Sequence, residues 1–351
     1  MINVGIVGAA GYMGGEVLRV LLDHPHVNIA WITSRQGGWI GDHHPNLFGI
    51  ELDLIRPEKI TPCDVAFLAL PTSATLEIVD TLLNQGTKVI DLGSAFRLKD
   101  RKVWERVYGQ THSHWHLVEE AVYGITELNA EAAANARLIA NPGCFASAAI
   151  LALAPLLKEQ LVETKHIMID GLSGTTGAGA ELARPALHAE IGNNLVPYNV
   201  VDHRHSYEIE QELSLLSGEN VQVHFTPTYV PITRGILDIC HVFPKIKTSR
   251  SELLKLFKDH YRDHEFIKII DHEKEQGVGW QYRPYPWVSA INGTNYCHIG
   301  IDYDVRRNRA VIFSALDNVG KGGAQVGIEN MNLMFGLNRT TGLSRRGLHP
   351  G

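Results

Sequence analysis

The fold is decided at the start of the chain, by the stretch Ile2-Asn3-Val4-Gly5-Ile6-Val7-Gly8-Ala9-Ala10-Gly11-Tyr12-Met13-Gly14-Gly15. Residues 2–7 have the composition of a buried strand, the glycines form a turn, and residues 16–24 continue as a helix with one apolar side. Pro25 ends that helix, and residues 27–33 predict the next strand, which completes a βαβ unit. At such a turn the backbone can approach a pyrophosphate, which binds at the helix N-terminus.

The glycines of this turn are spaced by three and do not follow G-x-G-x-x-G, so their position between strand and helix carries the prediction. We expect a Rossmann-type dinucleotide-binding domain in which the cofactor contacts Gly8, Gly11, Tyr12, Met13 and Gly14.

The end of the second strand indicates which dinucleotide binds. An NAD site places a carboxylate there for the ribose 2′-hydroxyl, whereas this chain has Ser34 and Arg35 and no nearby acid. A hydroxyl and a guanidinium suit a 2′-phosphate, so the sequence favours NADP(H). The alternative for Arg35 is a solvated loop arginine.

The alternation of strands and helices continues to about residue 140. Residues 64–70 form a continuous apolar segment, as in a parallel sheet covered on both faces. Thr72 follows this strand, and Arg97 follows the strand predicted at 89–92. Ligands bind beyond the carboxyl ends of such strands, so Thr72 is a candidate cofactor contact and Arg97 a candidate clamp for phosphate or carboxylate. A surface ion pair is the alternative for Arg97.

A candidate nucleophile lies in Asn141-Pro142-Gly143-Cys144-Phe145, where the strand 138–140 ends and an apolar helix begins. The unpaired N–H groups and the macrodipole of a helix N-terminus favour a thiolate at Cys144. The alternative is a small buried hydrophobic residue. Asn141, at the same strand end, is a candidate substrate contact.

A loop of small residues and hydroxyls follows the strand predicted at 165–170, and it contains Ser173, Gly174 and Gly177. It lacks the lysine of a Walker A loop, but its backbone could form a nest for a phosphate. A flexible connection is the alternative.

A candidate base lies in His203-Arg204-His205-Ser206-Tyr207-Glu208. Ser206 is typical of an N-cap, so we expect His205 just outside a helix, with Glu208 near enough to orient it. His203 and Arg204 are candidate substrate anchors.

The rest of the chain differs from the first part. Strands at about 221–230, 234–243, 297–304 and 309–316 follow one another with a single helix near 250–261, which predicts a mixed sheet. A last helix, 324–335, is expected to pack back on the first domain. The predicted fold is α/β, with a dinucleotide-binding domain at 1–143 and 318–351 and an α+β catalytic and oligomerisation domain at 144–317.

Bulk properties exclude several classes of protein. The net charge of −6 provides no positive surface for nucleic acid, and the apolar runs are too short to span a bilayer. The chain begins directly on a strand, so we expect a cytoplasmic protein. The alternating histidines of 112–116 lack a carboxylate or cysteine cluster, so we predict no metal site and an exposed loop there.

Nearly the whole chain resembles the N-acetyl-gamma-glutamyl-phosphate reductases of the semialdehyde dehydrogenase superfamily. The segments that carry the resemblance, in order, are Gly8 to Gly15, His44-Pro45-Asn46-Leu47, Asp91-Leu92, Phe96-Arg97-Leu98, Asn141-Pro142-Gly143-Cys144, Ser173-Gly174, Gly177-Ala178-Gly179, His203-Arg204-His205, Glu208-Ile209-Glu210, Gly293-Thr294-Asn295-Tyr296 and Asp317-Asn318 through Met331-Asn332.

The resemblance implies an enzyme in which Cys144 attacks a small-molecule acyl phosphate and His205 handles the proton. It also implies that Arg97 and the loop 173–179 lie near the substrate phosphate, and that Asn318 lies near the nicotinamide. We expect a homodimer or homotetramer.

Three other functions stay open. The ending Gly347-Leu348-His349-Pro350 is similar to a lysine-pathway branch that reduces a carrier-linked aminoadipate phosphate. An NADP(H)-binding redox sensor would need no base and no phosphate loop. A metal hydrolase would need a ligand set that the sequence does not supply.

Overall fold

The computed structural model describes residues 1–272 and 284–348. The chain forms two compact units, one from Met1–Pro142 with Gly323–Ser344 and the other from Gly143–Gly322 with Arg345–Gly351. Gly143 and the segments 318–322 and 345–348, which are predicted to lie in the first domain, belong to the second unit.

The first unit is built on an eight-stranded sheet. Its strands are β1 (Ile2–Val7), β2 (Val27–Thr33), β3 (Gly38–Trp39), β4 (Asp53–Ile55), β5 (Val65–Leu68), β6 (Lys88–Asp91), β7 (Val122–Tyr123) and β8 (Leu138–Ala140). Their order is β3-β4-β2-β1-β5-β6-β8-β7. Every neighbouring pair is parallel except β3 with β4. The continuous burial of β5 explains its unbroken apolar sequence.

Short helices connect these strands. They are α1 (Tyr12–Leu21), α2 (Ile40–His43), α3 (Thr72–Asn84), α4 (Arg101–Tyr108), α5 (Trp115–Glu120) and α6 (Thr126–Asn135). Two good local signals set the bounds of α4: the Asp100 carboxylate accepts hydrogen bonds from the N–H groups of Lys102 and Val103, and Gly109 ends the helix in the left-handed conformation.

The order of the strands creates a switch point. From β1 the chain first adds β2 on one side, and it later returns to place β5 on the other side of β1. The turn after β1 and the turn after β5 are therefore adjacent, and the carboxyl ends of such strands are where doubly wound sheets bind ligands.

The last helix, α11 (Gln325–Met334), belongs to the first unit and packs against α6. The Asn330 side chain donates to the carbonyl of Gly124 at 2.8 Å, and the Glu329 carboxylate accepts from the Thr126 hydroxyl at 3.2 Å. The predicted return of the C-terminal helix to the first domain is thus confirmed.

The second unit contains a mixed seven-stranded sheet, as predicted. Its strands are β9 (Ile167–Ser173), β10 (Val196–Pro197), β11 (Val223–Tyr229), β12 (Ile236–Val242), β13 (Ile267–Ile269), β14 (Cys297–Asp304) and β15 (Arg309–Leu316), in the order β10-β11-β9-β12-β15-β14-β13. The pairs β9–β11 and β13–β14 are parallel and the others antiparallel.

Helices α7 (Cys144–Lys158), α8 (His188–Ile191), α9 (Arg204–Ser217) and α10 (Arg250–His260) complete this unit. The alternate burial along β12 shows that one face of the sheet is covered, and α7 packs against β12 and β15 while α9 packs along α7. These helices bring the residues that begin them, Cys144 and Arg204-His205, to one end of the unit.

Two local predictions are wrong. The helix α9 begins at Arg204, so His205 lies in its first turn and Ser206 is not the cap. His112 is buried rather than in an exposed loop: its Nε2 hydrogen-bonds the carbonyl of Ala95 at 2.9 Å, and its ring contacts Trp104 with centroids 4.5 Å apart. The aromatic contacts and the satisfied nitrogen make this burial favourable.

No helix within residues 1–272 and 284–348 is long and apolar enough to cross a membrane.

Candidate functional site

The glycine turn after β1 is shaped by close contacts. Gly8 has φ +83°, and a Cβ there would lie 2.4 Å from the carbonyl oxygen of Ala69, at the end of β5. A Cβ on Gly14 would lie 2.4 Å from the oxygen of Gly8. The helix α1 begins at Tyr12 with Gly11 as its N-cap and no side-chain cap, so its first N–H groups are left for a ligand.

The predicted 2′-phosphate residues form the turn after β2. The Ser34 hydroxyl accepts from the N–H of Gly37 at 2.9 Å and is 3.2 Å from its carbonyl oxygen. Ser34 is buried, whereas Arg35 is exposed. In the adjacent turn after β5, Thr72 begins α3 and its hydroxyl lies 3.0 Å from that of Ser94.

Arg97 and Asn141 are linked to each other inside the first unit. Arg97 is buried; its Nε donates to the carbonyl of Asn141 at 2.7 Å and its Nη2 to that of Leu92 at 3.1 Å. The Asn141 amide donates to the carbonyl of Gly323 at 3.0 Å, while its buried Oδ1 has no hydrogen-bond donor within the described chain. Asn141 therefore keeps an unused acceptor at the end of β8.

Asp91 fixes the turn that carries Arg97, a role the sequence analysis missed. Its carboxylate accepts from the N–H groups of Gly93 at 2.8 Å and Ala95 at 3.1 Å. Burial raises the pKa of Asp91 to about 6, although the Arg97 guanidinium and these hydrogen bonds oppose the shift.

Cys144 is the first residue of α7, as predicted. Gly143 is the N-cap, with no side-chain cap hydrogen bond, so the positive end of the helix dipole lies at Cys144. The thiol-bearing residue is partly exposed. A Cβ on Gly322 would lie 2.9 Å from the Cβ of Cys144, so the chain packs closely against this residue.

His205 lies directly against the residue before the cysteine. A Cβ on Gly143 would lie 2.4 Å from Nε2 of His205, so only glycine leaves room for the ring. The Glu208 carboxylate joins the two helix starts: Oε2 accepts from the N–H of Gly143 at 3.0 Å, and Oε1 lies 3.9 Å from His205 Nε2. The latter separation is too long for a hydrogen bond between these two atoms.

His203 caps α9 with its side chain. Its Nδ1 accepts from the N–H of His205 at 3.2 Å, which requires the proton, when the ring is neutral, on Nε2. Burial, and then the charge of Arg204, lowers the pKa of His203 to about 4. A buried neutral imidazole thereby holds the candidate base in the helix. Arg204 itself is exposed.

A pair of tyrosines beside these residues was missed. Tyr198 and Tyr229 stack with ring centroids 4.2 Å apart and an interplanar angle of 7°. Burial, then the neighbouring Tyr229, then the charge of Cys144 raises the pKa of Tyr198; burial is also the largest cause of the raised pKa of Tyr229. The ring of Tyr198 lies 5.6 Å from that of His203, between centroids, and the pair keeps its hydroxyl protons at neutral pH. No local sequence signal links residues 31 positions apart.

The loop 173–179 and Asn318 come together in the second unit. Ser173 ends β9 in a buried position, and residues 175–178 form a 3-10 helix. A Cβ on Gly177 would lie 3.1 Å from the Ser173 hydroxyl and 4.0 Å from Asn318 Nδ2. Asn318 Nδ2 also donates to the Thr176 hydroxyl at 3.0 Å, so these predicted residues share one location.

No cluster of three or more histidine, cysteine or acidic side chains that could hold a metal occurs within the part of the chain that the structure describes.

Known families account for both units. Residues 3–136 match the semialdehyde dehydrogenase NAD binding domain, and residues 144–318 match the semialdehyde dehydrogenase dimerisation domain. The first match assigns a nicotinamide dinucleotide to the first unit, and the second indicates an oligomer.

Several relatives match over their full length. N-acetyl-gamma-glutamyl-phosphate reductases from Desulforudis audaxviator and Methanopyrus kandleri are 40% and 42% identical, with 100% of both chains covered. The reductase from Acetivibrio thermocellus is 40% identical and covers 99% of this chain and 100% of its own.

Solved structures share the fold at lower identity. Aspartate semialdehyde dehydrogenase II from Vibrio cholerae is 18% identical with a TM-score of 0.71, and it covers 95% of this chain and 98% of its own. The Candida albicans aspartate semialdehyde dehydrogenase with NADP is 16% identical with a TM-score of 0.62, over the same shares of the two chains. The chain therefore belongs to the semialdehyde dehydrogenases, in the family of the N-acetyl-gamma-glutamyl-phosphate reductases.

Proposed function

We propose that this protein reduces N-acetyl-gamma-glutamyl phosphate to N-acetylglutamate 5-semialdehyde with NADPH, releasing phosphate, as a step of arginine biosynthesis. The observation that carries the proposal is the joining of the two helix starts by Glu208, which sets the His205 ring against Gly143, the residue before Cys144. Full-length relatives at about 40% identity bear that reaction in their names. They give no support to a carrier-linked substrate or a redox sensor.

Each chemical step uses residues of this chain. The Cys144 thiolate attacks the acyl carbon, and the tetrahedral adduct expels phosphate to leave a thioester. NADPH, when bound, supplies the hydride that reduces this thioester. His205 donates a proton to the oxygen of the resulting thiohemiacetal anion and takes that proton back as the neutral thiohemiacetal collapses, so that the aldehyde leaves and the thiolate returns. Glu208 stabilises the charged imidazolium and anchors the turn before Cys144.

We assign the substrate's phosphate to Ser173, Gly174 and Gly177, whose loop offers backbone N–H groups and hydroxyls. Arg97, Asn141, His203 and Arg204 are the further substrate residues. His203 acts through the cap that fixes His205, and Asn141 through the unused acceptor Oδ1.

The cofactor we propose is NADP(H). The uncapped start of α1 and the cradle at Gly14, which a Cβ would fill, fit a pyrophosphate. Gly8, Gly11, Tyr12, Met13 and Thr72 complete this set; Ser34 and Arg35 would hold the 2′-phosphate, and Asn318 would hold the nicotinamide amide. We accordingly assign cofactor binding to the first unit and catalysis and oligomerisation to the second.

A homodimer or homotetramer in the cytoplasm fits this biosynthetic role. Light scattering should give at least twice the chain mass of 38.9 kDa, and a monomeric mass would exclude the oligomer.

The reaction is best tested backwards, because the acyl phosphate is labile. We expect phosphate-dependent reduction of NADP⁺ with N-acetylglutamate semialdehyde by the wild type and none by Cys144→Ser. Equal turnover by both proteins would eliminate the thioester mechanism. Turnover with aminoadipate semialdehyde on its carrier, but not with the free substrate, would replace the proposed substrate.

A further inference from the structure

Asp317 follows the last residue of β15 in the second unit, and its buried carboxylate accepts several main-chain hydrogen bonds. Its Oδ1 accepts from the N–H groups of Val319 at 3.0 Å and Gly320 at 3.2 Å, and its Oδ2 accepts from that of Gly293 at 2.6 Å. Its side chain is 0% exposed. A buried charge with this many backbone donors fixes the turn through Asn318 and the helical segment that follows.

Arg234 neutralises this carboxylate in a two-pronged contact. Its Nε lies 3.0 Å from Oδ2 and 3.2 Å from Oδ1 of Asp317, and its Nη2 lies 2.9 Å from Oδ2. The Arg234 side chain is 26% exposed, so the pair is largely protected from solvent. Such fork-shaped contacts restrict orientation as well as distance.

The segment that carries Arg234 also holds the loop assigned to the phosphate. Main-chain hydrogen bonds run from Gly174 N to the Gly235 carbonyl at 2.9 Å, from Thr175 N to that of Ile232 at 2.9 Å, and from Thr176 N to that of Thr233 at 3.1 Å. A displacement of residues 232–235 would therefore move the loop with them.

Asn318, the neighbour of Asp317, contacts both the segment 232–235 and the loop 173–179. Its Oδ1 accepts from the N–H of Gly235 at 2.7 Å, and its Nδ2 donates to the Thr176 hydroxyl at 3.0 Å. That hydroxyl lies 2.7 Å from the carbonyl oxygen of Thr233. The ion pair thus constrains both the segment beneath the loop and the amide that contacts the loop.

We propose that Asp317 and Arg234 are a positioning pair that sets the affinity of the loop 173–179 for the phosphate of the substrate. The pair touches neither the reacting atoms nor Cys144 in this role; it acts through residues 232–235 and Asn318. The inference rests on the proposed function, in which this loop binds phosphate.

The test compares Asp317→Asn, Arg234→Gln and the double variant with the wild type. We would measure the KM for phosphate and kcat in the reverse reaction, the binding of inorganic phosphate by calorimetry in the presence of NADP⁺, and the melting temperature. The rate of Cys144 alkylation by iodoacetamide reports separately on the nucleophile.

Each single variant should raise the phosphate KM and dissociation constant about tenfold and change kcat less than about threefold, because binding geometry is lost while the nucleophile stays in place. Alkylation of Cys144 should stay at the wild-type rate. The double variant should recover part of the melting temperature, since no buried charge is left without its counterpart, yet keep the high phosphate KM.

A matched control is Glu219→Gln, which breaks the exposed ion pair of Lys245 and Glu219 in the same unit and should leave phosphate binding unchanged. Unchanged phosphate affinity in the single variants, or a phosphate KM that recovers together with the melting temperature, would overturn the inference. A wild type that binds phosphate but does not turn over would count against the proposed function alone, and a wild type that binds none would overturn the positioning role.

Discussion

The Oε2 atom of Glu208 accepts a hydrogen bond of 3.0 Å from the main-chain N–H of Gly143, so the helix of the candidate base is tied directly to the turn that delivers the candidate nucleophile. Glu208 is fully buried. The carboxylate therefore holds the turn at Gly143 through Oε2, while Oε1 lies 3.9 Å from His205 Nε2, close enough for its charge to act on the imidazole.

Substitutions at Glu208 should separate the effect of its charge from the effect of its hydrogen bond to Gly143. Glu208→Gln retains an acceptor for Gly143 but loses the charge, so we expect kcat to fall about tenfold with little change in melting temperature. Glu208→Ala also leaves the buried N–H of Gly143 without a partner, which costs about 1–3 kcal/mol in the free energy of unfolding. Steady-state kinetics and thermal unfolding of both variants test this. Equal losses of stability in the two variants would show that the hydrogen bond contributes nothing.

Gly143→Ala should remove activity by steric displacement of His205. The backbone at Gly143 has φ −71° and ψ 149°, which any residue adopts, so the only conflict is the 2.4 Å approach to the ring. We expect kcat to fall at least about 100-fold, as for small misplacements of catalytic groups. NADPH binding, measured by fluorescence titration, should be unchanged. A variant with wild-type kcat would show that the ring position is not needed.

Asp238 gives the fold a predictable pH dependence. It lies on β12, fully buried, and neither carboxylate oxygen has a hydrogen-bond partner in the described chain. Burial raises its pKa well above the ordinary value of 3.8. The native state then binds this proton more tightly than the unfolded state, so the stability contribution of this group falls as the pH rises above about 4 and levels off only above its native pKa.

Asp238→Asn should remove this dependence and increase the free energy of unfolding, by about 1–3 kcal/mol at pH 8 and by less at pH 5. Urea unfolding at both pH values measures the difference. Asp170→Asn is the matched control, since the Asp170 side chain is 54% exposed on the neighbouring strand β9 and its removal should change stability by less than about 0.5 kcal/mol. A variant with the same stability increment at both pH values would contradict a titrating Asp238.

Arg35→Asp should change cofactor preference. A carboxylate at this position repels a 2′-phosphate and can accept from a ribose 2′-hydroxyl, so we expect the ratio of kcat/KM for NADPH over NADH to fall by at least about 100-fold. Kinetics with both cofactors decide this. The exchange Arg101→Asp, at a partly exposed arginine of α4, serves as a charge-matched control and should leave the ratio unaltered.

The sequence predicted what depends on neighbouring residues. The bounds of β1 and β2 agree with the structure residue for residue, because apolar strands and a glycine turn are local signals. The start of α7 near Cys144 could be predicted for the same reason.

Contacts between distant residues were not predictable. Asp317 and Arg234 are separated by 83 positions, and no local sequence pattern predicts a buried ion pair between them. The start of α9 was misplaced for a different reason: serine is a preferred cap, whereas the actual cap is the imidazole of His203, which accepts the N–H bond only because burial keeps it neutral.

The close packing of Gly143 against His205 has a consequence for reading other chains of this architecture. A glycine before the candidate nucleophile leaves room for the ring of the candidate base at this position, whereas any larger residue would require the histidine to lie elsewhere. The identity of the residue directly before the cysteine therefore indicates where the ring of a histidine 62 positions after that residue can lie.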